Sequence, residues 1–119
     1  MSETEGYFKK LTDESVKRIS SEANKDQYNI SGRTYQRRKI TVREFNRLEK
    51  LRAQFAAEKD REKAAELLAT LYLEAAMMYL GMTEEEYYGA PWEETKLIID
   101  ACNFRTLYGA PFLSKNCIG

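Results

Sequence analysis

Hydrophobic residues recur at helical spacing along the two longest patterned stretches of the chain. In residues 42–57 they form one stripe, with polar residues on the other sides: Val42, Phe45, Leu48, Leu51 and Phe55. The next stretch begins at Asp60 and becomes apolar on all sides before about Leu80. A helix that is apolar all round lies at the centre of a fold or has a partner on its second side. The pattern therefore predicts two helices, the second one central or partnered.

Short polar motifs mark where helices begin. Thr41 and Glu44 have the spacing of a capping box, in which the threonine hydroxyl accepts from the Glu44 amide and the Glu44 carboxylate accepts from the Thr41 amide. Thr83 and Glu86 repeat this spacing. The second box predicts a short helical turn that ends at Gly89.

Glycine and proline predict the remaining boundaries. Gly81 is typical of the position just after a helix, where a left-handed backbone is needed. Pro91 suits the first position of a final helix that carries Trp92, predicted to be a core residue. Tyr108–Gly109 is predicted to end that helix, and residues 110–113 are predicted to be an extended apolar segment.

Residues 28–40 have the pattern of a β-hairpin. Residues that favour strands flank Ser31–Gly32, and glycine tolerates the positive φ of a tight turn. A two-stranded ribbon is unstable alone, so it must pack on its own chain or on a neighbour. Before it, residues 1–27 are polar and predict a flexible arm or a short helix, which Thr12 would cap.

These elements predict a mainly α fold: a small helical domain of three to four helices with a short N-terminal β-hairpin. A chain of 119 residues suits one domain. We expect the domain to span residues 28–113 and residues 114–119 to form a disordered tail.

Composition argues against several kinds of chemistry. The chain has no histidine, which removes the commonest general base and the commonest zinc ligand. Its two cysteines, Cys102 and Cys117, lack metal-ligand spacing and are expected to be reduced thiols. The N-terminus has no secretory pattern, and the most apolar run is far below the roughly 20 residues that a membrane span needs. We therefore expect a cytosolic, non-enzymatic protein without a catalytic residue, metal or cofactor.

Charge is balanced overall but divided along the chain. Nineteen basic residues match nineteen acidic ones, yet residues 33–52 are strongly basic and residues 83–100 strongly acidic. The basic segment is interpretable as a solvated face or as a surface for nucleic acid. If the two segments lie on opposite sides of the fold, they also predict head-to-tail contacts between copies.

The candidate partner-binding residues follow from these patterns. The electrostatic candidates come from the two charged segments: Arg37, Arg38, Lys39, Arg43, Glu85 and Glu86. The apolar candidates come from the helix that is apolar all round: Tyr72, Met77, Met78 and Leu80. Such an apolar stripe is also typical of plain core.

The layout resembles one known family. A hairpin reading "ISGRTYQRRKIT", a Thr-capped helix "TVREFNRLEKL", a helical body and an "APFL" end resemble the tail assembly chaperones of long-tailed bacterial and archaeal viruses, over residues 28–113. The resemblance implies a small helical protein of the host cytoplasm that coats the tape-measure protein and recruits tail-tube subunits. Lys115–Asn116 is also compatible with a slippery codon pair, since frameshifting extends many such chaperones. The alternatives are a nucleic-acid-binding accessory protein and a structural virion subunit.

Overall fold

The computed structural model describes residue 14 and residues 17–118 of the chain, with side chains as far as Leu107. The described part contains five helices and one antiparallel hairpin, which confirms the predicted mainly α fold class. In chain order the elements are α1 (17–23), β1 (Gln27–Ile30), β2 (Arg33–Gln36), α2 (Val42–Ala57), α3 (Arg61–Leu80), α4 (Glu84–Gly89) and α5 (Trp92–Ile118).

Helix α3 is the centre of the fold. It packs against α2 on one side and α5 on another, and its buried residues are Leu71, Ala75, Ala76, Tyr79 and Leu80. Leu48 and Leu51 of α2 enter the same core, as do Ile98, Ile99 and Cys102 of α5. Packing on two sides explains why α3 carries apolar residues around its circumference.

The predicted helix boundaries are confirmed for α2, α3 and α4. The Thr41 hydroxyl accepts from the Glu44 amide at 3.1 Å, and the Glu44 carboxylate accepts from the Thr41 amide at 2.9 Å. The Asp60 carboxylate accepts from the Glu62 amide at 2.9 Å and so starts α3. Gly81 ends α3 with a φ of 67°, the left-handed conformation that glycine adopts without a steric penalty.

The hairpin packs within its own chain. Ser31 and Gly32 have φ values of 52° and 78°, as a two-residue turn with positive φ at both positions requires. Tyr28 and Ile30 point from β1 into the core, where both side chains are buried. After β2 the Arg38 amide donates to the Tyr79 carbonyl at 2.7 Å, which ties the chain to the end of α3.

Three details differ from the predictions. Trp92 is 51% exposed instead of buried: it lies in the first turn of α5, where its ring packs edge-on against Tyr72. Val42, at the first position of α2, is 77% exposed and lies outside the buried stripe.

The third difference concerns the end of α5. Its backbone continues past Gly109 and Pro111 as far as Ile118, so the predicted end of this helix and the extended segment at 110–113 are wrong. Proline removes one backbone donor from a helix but does not always end it. Helical backbone also covers most of the predicted tail, 114–119.

Candidate protein-binding surface

A short N-terminal helix packs along α5. Ala23 of α1 and Ala101 of α5 are fully buried against each other's helix, with Ile19 and Phe104 packed beside them. Residues 1–13, 15 and 16, including the predicted cap Thr12, lie outside the described residues. The described part of the predicted arm is thus a docked helix.

Arg105 of α5 holds the end of α1 in place. One guanidinium nitrogen, Nη1, donates to the Ala23 and Lys25 carbonyls at 3.4 Å each and to Asp26 Oδ1 at 3.1 Å. The Tyr28 hydroxyl donates to the Glu22 carbonyl at 2.7 Å. These bonds satisfy carbonyls that a helix end leaves without an intrahelical partner. Sequence reasoning did not single out Arg105.

An open groove lies between α1 and α5. Its volume is about 360 Å³, and it is lined by Arg18, Ile19, Trp92, Glu93, Lys96, Leu97 and Asp100. The half-exposed indole of Trp92 stands at this groove. A wall that offers an aromatic ring, aliphatic side chains and charges of both signs suits a protein partner.

A polar network fixes the α5 side of the groove. The Tyr72 hydroxyl donates to Asp100 Oδ1 at 2.7 Å, and Lys96 Nζ donates to Asp100 Oδ2 at 2.7 Å. The Trp92 ring meets the Tyr72 ring edge-on, with the centroids 5.2 Å apart. Burial and the bond to the Asp100 carboxylate raise the pKa of Tyr72, so its hydroxyl keeps its proton.

The apolar candidates fall in different environments. Tyr72 is partly buried and bonded to Asp100, which lines the groove. Met78 is partly buried against the core. Leu80 is itself a core residue, 3% exposed, which corrects its assignment as a partner contact. Met77 is 42% exposed on another side of α3. Periodicity identified an apolar helix but not which side its neighbours would cover.

Glu86 joins the acidic segment to the basic one within the same chain. Its Oε1 accepts from the Thr83 amide at 2.8 Å and completes the second capping box. Its Oε2 accepts from the Tyr35 hydroxyl at 3.3 Å and contacts the Arg33 guanidinium. At this point the two charged segments lie side by side, so the premise that they occupy opposite sides of the fold does not hold here.

The other electrostatic candidates divide into structural and exposed residues. The Arg37 amide donates to the Asp26 carbonyl at 2.8 Å, and its partly buried guanidinium lies near Cys102. Arg38, Lys39, Arg43 and Glu85 have exposed side chains, and none of them forms an ion pair with a described residue.

Cys102 has the properties of a core residue. Its thiol is fully buried, and burial raises its pKa to about 11, despite the opposing effect of Arg37. Such a thiol is protonated and unreactive near neutral pH. Within the described residues, no group of histidine, cysteine, aspartate or glutamate side chains is arranged to hold a metal ion. None of the described helices is long and apolar enough to cross a membrane.

Comparison of the chain with protein-family models, with curated protein sequences and with solved structures found no match. A functional interpretation therefore rests on the surface of the molecule and on the resemblance described above.

Proposed function

We propose that this chain is a non-enzymatic tail assembly chaperone of a long-tailed virus. In this proposal it binds and shields the tape-measure protein in the host cytoplasm and recruits tail-tube subunits. The identity of the client comes from the resemblance of residues 28–113. The binding surface that we assign to it, the groove between α1 and α5, comes from the fold.

The observation that carries the proposal is the exposure of Trp92 at the groove. Trp92 is 51% exposed, and tryptophan is among the residues that most often dominate binding at protein interfaces. An amphipathic helix of a client places its apolar side chains into such grooves. A long helical client would present many helical faces of this kind.

The surroundings of Trp92 favour binding at low entropic cost. The Tyr72 ring, fixed through Asp100, supports the indole from one side. A side chain that is held in place before binding loses little freedom when a partner arrives. Leu107, 54% exposed, lies about 60° from Trp92 around α5 and about four turns further along the helix.

The nucleic-acid alternative is less favoured by the arrangement of charge. In the basic segment Arg33, Arg47 and Arg52 each contact a carboxylate of the same chain. Exposed Glu84 and Glu85 of α4 lie next to this segment and would repel phosphate. The alternative of a structural virion subunit shares the protein-binding surfaces and differs in persisting in mature particles.

Trp92 provides the test, because it is the only tryptophan of the chain. Titration with helical fragments of the tape-measure protein is expected to shift its fluorescence to shorter wavelength as the indole is buried. Trp92→Ala, followed by calorimetry, should weaken binding at least about tenfold, a loss of about 1.4 kcal/mol. Lys59→Ala is the control, since Lys59 is exposed between α2 and α3 and does not line the groove.

Two outcomes would reject the proposal. One is the absence of binding to any fragment of the tape-measure protein. The other is a salt-sensitive mobility shift with DNA or RNA, which supports the nucleic-acid alternative. Equal affinity of Trp92→Ala and the unmodified chain would reject only the groove as the binding surface. A long tape-measure reading frame next to the gene is the expected genomic context.

A further inference from the structure

Two exposed patches of opposite charge each surround a large apolar side chain. Val42 and Tyr88, 77% and 68% exposed, are the most exposed large hydrophobic residues of the described chain. We call the first the basic patch, which comprises Arg38, Lys39, Val42 and Arg43. We call the second the acidic patch, which comprises Glu84, Glu85 and Tyr88.

The charges of both patches are unsatisfied within the chain. All five charged side chains of these patches are exposed, and none forms an ion pair or a hydrogen bond with a described residue. By contrast, the neighbouring Arg33, Arg47 and Glu86 are all paired within the chain. The intrachain contacts therefore leave one basic and one acidic surface free, each with an exposed apolar centre.

The two patches are neighbours at one end of the fold. The Arg38 amide is bonded to Tyr79 at the end of α3, and the Arg38 Cδ lies 3.5 Å from where a Cβ on Gly81 would be. The acidic patch starts with α4, directly after this turn. The Arg33–Glu86 contact links the hairpin to the inner side of α4. Both patches thus flank the junction between α3 and α4.

We propose that two copies of this chain associate about a two-fold axis, with the basic patch of each on the acidic patch of the other. A two-fold contact is reciprocal, so neighbouring patches of opposite charge are matched twice in a single interface. A head-to-tail contact would use one patch from each copy and leave the adjoining patch of each to a further copy. The pairing needs no client, so it does not depend on the proposed chaperone function.

The chemistry of the patches defines the strength of this contact. Tyr88 meets the Lys39 and Arg43 cations of the other copy, and a cation over an aromatic ring is favourable by about 0.5–1 kcal/mol at exposed sites. The two patches together comprise seven residues, fewer than the roughly 20–30 residues that each partner contributes to a stable interface. We therefore expect a weak dimer whose attraction decreases when salt screens the charges.

Sedimentation equilibrium tests the mass of the associated species. At about 20 mM salt the unmodified chain should follow a monomer–dimer equilibrium, and at about 0.5 M salt, where screening acts within a few ångströms, its dissociation constant should rise at least tenfold. A strict monomer at millimolar concentration and low salt would overturn the proposal. A series of species beyond the dimer would overturn the two-fold arrangement and support head-to-tail contacts.

Charge reversal tests which surfaces are in contact. Lys39→Glu/Arg43→Glu and Glu84→Lys/Glu85→Lys should each abolish the dimer, because the two patches that meet then carry net charges of the same sign. Mixed together, these two variants should form a heterodimer, since both patches of the first carry net negative charge and both patches of the second carry net positive charge. Lys59→Glu/Lys63→Glu is the control, with two exposed lysines reversed at the junction of α2 and α3.

The expected control result is an unchanged dimer. Circular dichroism establishes that each variant keeps its helical content. Failure of the two folded charge-reversed variants to form a heterodimer, or equal loss of the dimer in the Lys59/Lys63 control, would overturn the assignment of the patches.

Discussion

The Glu86 carboxylate connects two parts of the fold that are far apart in the sequence. It caps the first turn of α4 through the Thr83 amide at 2.8 Å, and it accepts from the Tyr35 hydroxyl of the hairpin at 3.3 Å. It also contacts the Arg33 guanidinium. We predict that Glu86→Ala destabilises the protein by loosening both the start of α4 and its contact with the hairpin.

The size of this effect follows from the contacts that are lost. A capping side chain contributes about 1 kcal/mol. The long bond from Tyr35 adds about 0.5–1 kcal/mol, because hydrogen bonds to charged groups are stronger than neutral ones. Arg33 is 67% exposed, so solvent limits its ion pair to at most about 0.5 kcal/mol. We expect a loss of about 1.5–2.5 kcal/mol, which lowers Tm by roughly 5–10 °C in a domain of this size.

Two matched variants separate the contributions. Glu86→Gln keeps an amide oxygen that can accept from the Thr83 amide, so it should lose less than half as much stability as Glu86→Ala. Glu85→Ala changes the neighbouring exposed carboxylate, which has no described partner, and should change stability by less than about 0.5 kcal/mol. The assay is urea unfolding at neutral pH, followed by circular dichroism.

The urea midpoint decides the outcome. If Glu86→Ala and Glu85→Ala unfold at the same midpoint with the same slope, the contacts of Glu86 do not stabilise the fold and the reasoning is refuted. If Glu86→Gln and Glu86→Ala lose equal stability, the charge contacts with the hairpin account for the effect and the capping contribution is refuted.

Three further predictions concern the core and the end of α3. Gly81→Ala should lower the free energy of unfolding in urea by about 1–2 kcal/mol, because the φ of 67° penalises a side chain. Gly81→Asn should lower it less, since asparagine tolerates this conformation better. Equal stability of both variants and the unmodified chain would contradict this. Leu48→Ala should lower the free energy of unfolding by about 3–5 kcal/mol, since Leu48 is fully buried. Val42→Ala should lower it by less than about 0.5 kcal/mol, since Val42 is exposed. A similar loss in both variants would place Val42 in the core. Burial raises the pKa of Cys102 from 9.0 to about 11, so the protonated thiol stabilises the fold below pH 9 and this contribution is lost between pH 9 and 11. Over that window the unmodified chain should lose on the order of 2 kcal/mol more than Cys102→Ala, because the buried thiol is absent from the variant; parallel pH profiles would contradict the assignment.

The sequence by itself determined the local boundaries of the fold. Thr41 and Glu44 start α2, Asp60 starts α3, and Gly81 ends it, as their positions in the chain predict. The Ser31–Gly32 turn was also predicted from local residues alone. These signals are readable because the donor and the acceptor lie within four residues of each other, or because one backbone conformation suits glycine best.

The surface of the molecule depended on contacts between distant residues. Helical periodicity placed Met77 and Leu80 on one apolar helix, yet only the packing of α2 and α5 around α3 decided that Leu80 is buried and Met77 exposed. The same holds for Trp92, whose ring packs edge-on against Tyr72, twenty residues earlier on another helix.

The candidate functional surfaces were therefore predicted only in part. The charged segments were visible in the sequence. Their position side by side was not, because it depends on the contact of Glu86 with Arg33 and Tyr35, about fifty residues away in the chain. Arg105 had no sequence signal at all, since its acceptors lie about eighty residues away. The sequence determined where helices begin and end because those interactions are local; the tertiary structure alone decided which faces remain exposed, because that depends on how the helices pack.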